Sequence, residues 1–109
     1  MPTANEVFRQ KETGAVDIAL EAEWTRNDFD LGYVMYRRTL SDPIAIKLEM
    51  ITAEDDVVTV RSEPIWTGTS WFFAGPLPMR AGDKFKFTTT GALGGENHTA
   101  MILLKVGLH

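Results

Sequence analysis

Apolar residues recur at every second position from Val16: Val16, Ile18, Leu20, Ala22 and Trp24 alternate with Asp17, Ala19, Glu21 and Glu23. A period of two sends the two sets to opposite faces of a strand. It outweighs the helix propensity of Ala, Leu and Glu, which keeps a helix as the competing reading. After a turn at 25–30, residues 31–40 predict a second strand, apolar on both faces in its first half. Ser41-Asp42-Pro43 ends it. Ile44, Ile46, Leu48 and Met50 then alternate with Ala45, Lys47 and Glu49. The chain turns at the acidic tip 53–56 and returns over 57–61, with Val58 and Val60 expected on the apolar side of a β-hairpin.

Further strands are predicted at 65–66 and 70–74, or as one bent strand with a turn or bulge at Thr67-Gly68-Thr69. Gly75-Pro76-Leu77-Pro78 is expected to end the ladder, because each proline lacks a donor. Ala81-Gly82-Asp83 turns the chain into 84–90, where Phe85, Phe87 and Thr89 face one way. Residues 91–98 read as a glycine-rich loop, and 99–108 as a last strand apolar on both faces. Seven or eight short strands at about ten-residue spacing indicate an all-β fold, a single antiparallel β-sandwich or jelly-roll-like domain. It would span 15–109. Residues 1–14 lack a period and read as an extended N-terminal arm, pinned to a neighbour by Val7 and Phe8.

Three predicted strands carry apolar residues on both faces: Tyr33-Val34-Met35, Trp71-Phe72-Phe73 and 101–104. A sandwich buries one face of each sheet, so the other side of these strands needs a second cover. The arm, the 75–80 segment or another copy of the chain could supply it. The residues expected at such an interface are Val7, Phe8, Trp71, Phe72, Phe73, Leu77, Met79 and Arg80. Plain core packing of the aromatics, and a proline-stiffened loop folded over one end of the sandwich, are the bland alternatives.

Composition narrows the rest. The formal net charge is −4, which argues against a nucleic-acid partner, since phosphate binding needs a basic face. There is no cysteine, as expected of a chain folded in a reducing cytosol. The polar start "MPTANEVFRQKETG" has no signal-peptide pattern, and no apolar run is long enough for a membrane helix. A soluble chain is expected. His98 and His109 are the two histidines, and Ser41, Ser62 and Ser70 lack a nucleophile frame. The acids at Asp28 and Asp30, and at Glu54-Asp55-Asp56, read as solvated turn residues. Asn97-His98-Thr99 matches a glycosylation sequon without a secretory context. No catalytic residue, metal site or cofactor is expected, and the chain reads as no enzyme.

The stretch "PLPMRAGDKFKFTTTGALGGENHTAMILLKVGL" resembles the second half of small β-sandwich or jelly-roll proteins of virus and phage particles. The resemblance implies a non-enzymatic virion accessory protein: head decoration, cement, or a spike or fibre component. It implies as partners the chain itself, as a homotrimer, and a capsid or other virion protein. Synthesis in the host cytoplasm and location on the virion follow from it. The alternative is a carbohydrate-binding module stacking sugars on Trp24, Trp66, Trp71, Tyr33 or Tyr36. Trp24 and Trp71 fall on apolar faces, where burial is expected.

Overall fold

Alternating apolar positions become strands whose buried sets meet in one core. The computed structural model describes residues 5–23 and 28–106, and its strands are β1 (Asn5–Thr13), β2 (Ala19–Glu23), β3 (Phe29–Arg38), β4 (Ile44–Ile51), β5 (Val57–Trp66), β6 (Ser70–Met79), β7 (Lys84–Thr90) and β8 (Asn97–Val106). They form two four-stranded antiparallel sheets, ordered β1-β8-β3-β6 and β2-β7-β4-β5. Eight strands in two sheets with this interleaved order make a jelly roll.

Leu31, Val34, Tyr36, Ile102 and Leu104 of the first sheet pack with Leu20, Ile46, Leu48, Phe85 and Phe87 of the second. The Phe87 ring joins the layers, its centroid 5.3 Å from that of Tyr36 and 5.5 Å from that of Trp71. Burial of these side chains supplies the main driving force for folding.

Several expectations change. Residues 5–13 of the predicted arm are strand β1, paired with β8 from Asn5↔Lys105 to Thr13↔Asn97. Its inward positions Phe8, Gln10 and Glu12 are only half-buried at the sheet edge, so no apolar period develops. The β2 strand is shorter than predicted: Ile18, Leu20 and Ala22 are buried, but Val16 is exposed ahead of the ladder. Trp24 lies outside the described residues.

The prolines do not end β6. Pairing resumes at Leu31↔Leu77, Asp30↔Pro78 and Phe29↔Met79 after a register shift. An edge strand hydrogen-bonds on one side only, which leaves room for residues without a donor. At the shift Gly75 lies against the Leu31 carbonyl oxygen, and a Cβ there would overlap it. Val58 lies opposite Met50, which packs against the core, yet it is 47% exposed. The pair sits near the hairpin end of the edge strand β5, where no further described strand covers Val58. Finally, β8 begins at Asn97, so Glu96 and His98 are buried rather than in an open loop.

Candidate functional site

Strand register assembles the outer face of the β1-β8-β3-β6 sheet row by row. One row runs Val7, Leu103, Tyr33, Ala74, and the next runs Arg9, Met101, Met35, Phe72. Polar rows flank them: Lys11, Thr99, Arg37, Ser70 on one side, and Lys105, Asp30, Pro78 on the other. The second sides of the three doubly apolar strands therefore converge on one patch. Phe72 is 61% exposed, and Tyr33, Met35, Met101 and Leu103 are half-buried around it. The Tyr33 and Phe72 rings stack with centroids 5.9 Å apart. Leu103 rests over Gly32, where a Cβ would come within 2.9 Å of its Cδ2. Met35, Met101, Arg37 and Thr99 line a shallow depression of about 220 Å³.

The outer face of the other sheet is unlike this one. Its rows read Ala19, Thr88, Lys47, Ser62, then Glu21, Lys86, Glu49, Thr59. Opposite charges lie across neighbouring strands there, and Lys84 Nζ is 3.8 Å from Glu21 Oε2. Such a charge ladder is a water-facing surface.

The predicted interface residues divide by strand alternation. Phe72 and Val7 stand on the apolar outer face. Trp71 and Met79 are core residues, at 9% and 3% exposure, because their side chains point to the opposite side of β6. Phe8, Phe73 and Leu77 are partly buried against that core. Arg80 is exposed, in a turn where its N–H donates to Asp83 Oδ2 at 3.1 Å. Tyr33, Met35, Met101 and Leu103 complete the patch, although their side of each strand becomes a single surface only through the register.

A stacking platform of tryptophans does not form among the described residues. Trp71 and Tyr36 are buried, and the half-buried Trp66 lies beneath the Arg38 guanidinium at 4.8 Å.

Buried polar groups gather where β3 ends and β8 begins. Arg38 Nη1 lies 3.6 Å from Glu96 Oε2, both side chains sealed from water. Arg38 Nε and Nη2 donate to the carbonyls of Gly68 and Trp66 at 2.7 and 3.2 Å. Glu96 Oε1 accepts from the N–H groups of Thr39 and Leu40, each at 3.0 Å. His98 Nε2 donates to the Val16 carbonyl at 2.7 Å, which leaves Nδ1 to accept from the Tyr36 hydroxyl at 2.7 Å. Burial, with Glu96 adding to it, pushes the Tyr36 hydroxyl well above the usual tyrosine range. Arg38 Nη1 has the Glu96 contact and no hydrogen bond of its own, while the other bonds clamp the end of β3 and the start of β8 to the 66–68 turn.

The acidic tip at Glu54-Asp55-Asp56 is an ordered turn. Thr52 N–H donates to the Asp56 carbonyl and Asp55 N–H to the Thr52 carbonyl, both at 2.9 Å. Among the described residues, no group of three or more His, Asp or Glu is placed to hold a metal ion.

No family model matches the sequence, and no curated protein does. Solved structures match in shape. The Eiger TNF of S. frugiperda aligns with a TM-score of 0.51 at 16% identity, covering 98% of this chain and 94% of that one. A protein of the Bacillus endospore appendages, a family of disulfide-linked pili, aligns at 0.52 and 13% identity, covering 94% and 86%. The infectious bursal disease virus Gx strain structure aligns at 0.47 and 11% identity, covering 95% of this chain and 34% of that one. Likeness at such identities establishes the all-β sandwich and nothing about role.

Proposed function

We propose that this chain is a non-enzymatic structural accessory protein that docks the outer face of its β1-β8-β3-β6 sheet into a protein assembly. One observation carries the reading: two apolar rows, bordered by polar rows, lie on one outer face while the opposite face is a charge ladder. An apolar centre with a polar rim is the anatomy of a protein interface. Met35, Met101, Tyr33 and Phe72 are residue types enriched in interface cores. Of the candidate sugar-stacking rings, Trp71 and Tyr36 are in the core and Tyr33 is partly covered by Phe72.

The resemblance of residues 76–108 to virion proteins supplies the setting, a phage-like particle with this protein as decoration, cement or spike component. The decisive experiment replaces Phe72 with Asp and follows sedimentation with the particles in the producing cell. Wild-type protein is expected in the particle fraction, and the folded variant in the soluble fraction. A wild type absent from particles, or a variant retained on them, overturns the proposal.

A further inference from the structure

We propose that the acidic β4–β5 tip of one copy docks on the apolar outer face of the next, so that the chain self-associates head to tail. This rests on the docking reading above and names the partner. The rows of the apolar face carry Arg9, Lys11, Arg37 and Lys105 against one carboxylate, Asp30, although the whole chain is net negative. Two such faces pressed together would oppose cation to cation, which disfavours a two-fold, face-to-face pair. The complement must be acidic and apolar at once.

The chain displays such a surface itself. Glu54, Asp55 and Asp56 are exposed, and Val57 and Val58 follow them at 57% and 47% exposure. Hydrogen bonds to Thr52 hold the turn, with Asp56 N–H also donating to Thr52 Oγ1 at 3.1 Å. A pre-ordered tip loses little entropy on docking. On the face, the 220 Å³ depression between Met35 and Met101 can take a branched aliphatic side chain. Arg37 at its rim can then pair with a neighbouring carboxylate. Tip and face belong to different sheets, so each contact leaves one of each free on the pair, and association continues to a ring or filament.

The test uses purified protein, light scattering after size exclusion, and two variants checked for folding by thermal melts. Met35→Asp places a repelling charge in the depression. Val57→Ser with Val58→Ser removes the apolar part of the tip. Wild type is expected to gain mass with concentration, and each variant to associate about tenfold more weakly or less. Mixed one to one, the variants should give a dimer and nothing larger, because only one intact tip and one intact face remain. A monomeric wild type, a tip variant that assembles like wild type, or a mixture that stays monomeric overturns the contact. A monomeric wild type leaves the docking role itself to the particle experiment, so the two failures are distinguishable.

Discussion

The Phe72 ring stacks on Tyr33 at 5.9 Å, on the far side of the sheet from its own chain neighbour Trp71. Two adjacent aromatics thus have opposite environments. Phe72→Ala should leave stability within about 0.5 kcal/mol of wild type, since its ring is mostly in water already. Trp71→Ala should cost about 3 kcal/mol or more, by opening a cavity against Phe87. Urea unfolding of both variants measures the difference. Equal losses would place Phe72 in the core and remove the main support for the docking face.

Glu96 offsets the buried charge of Arg38 and accepts two backbone N–H groups. Glu96→Ala should therefore cost about 3–5 kcal/mol, by leaving a guanidinium buried without its counter-charge. Removing both charges together, as Arg38→Met with Glu96→Leu, should cost less than the two single changes summed. A double-mutant cycle by chemical denaturation reads the coupling directly.

Tyr36 keeps its proton in the folded state beyond the pH at which an unfolded tyrosine loses it, about 10. Its raised folded-state pKa means that its contribution is fully present below that pH. Above it the unfolded chain releases the proton while the folded chain holds it, so stability falls as pH rises. Tyr36→Phe should cost about 1–3 kcal/mol near neutrality, because His98 Nδ1 loses its donor. The gap between wild type and variant should narrow above about pH 10. Denaturation at a series of alkaline pH values checks the sign, and a gap that widens would contradict it.

Glycines 75 and 94 should respond oppositely to alanine. A Cβ at Gly75 overlaps the Leu31 carbonyl oxygen, and both sides of that contact are backbone. Gly75→Ala should lower stability by roughly 2 kcal/mol or more through a forced shift in the β3–β6 pairing. Gly94 has nothing within 4 Å and an ordinary φ, so Gly94→Ala should be neutral or stabilising by about 0.5 kcal/mol. Thermal melts of the two variants suffice.

Local pattern carried much of this architecture. Ile18-Leu20-Ala22, Ile44-Ile46-Leu48 and Phe85-Phe87-Thr89 are buried on the side their alternation predicts. A strand's pleat depends only on its own residues. Edges were harder to read, because a half-solvated strand such as β1 needs no apolar period and an edge such as β6 tolerates prolines. Of the residues expected at an interface, Phe72 and Val7 are exposed on the outer face. Trp71, which the alternation also allows to be buried, and Met79 are in the core, because an apolar residue's type does not say which face it takes.

The sequence by itself determined an all-β sandwich, an excess of apolar residues on both sides of three strands, and an acidic turn between two others. Only the tertiary structure decided that those excess residues form one surface. Tyr33, Met35, Phe72, Met101 and Leu103 lie far apart in the chain, and interstrand register alone sets them side by side. The same register puts Arg9, Lys11 and Arg37 at the rim, giving a basic border to a face of an acidic protein. Composition sums charge over the whole chain, whereas docking depends on which charges share a face, and only pairing of distant strands settles that.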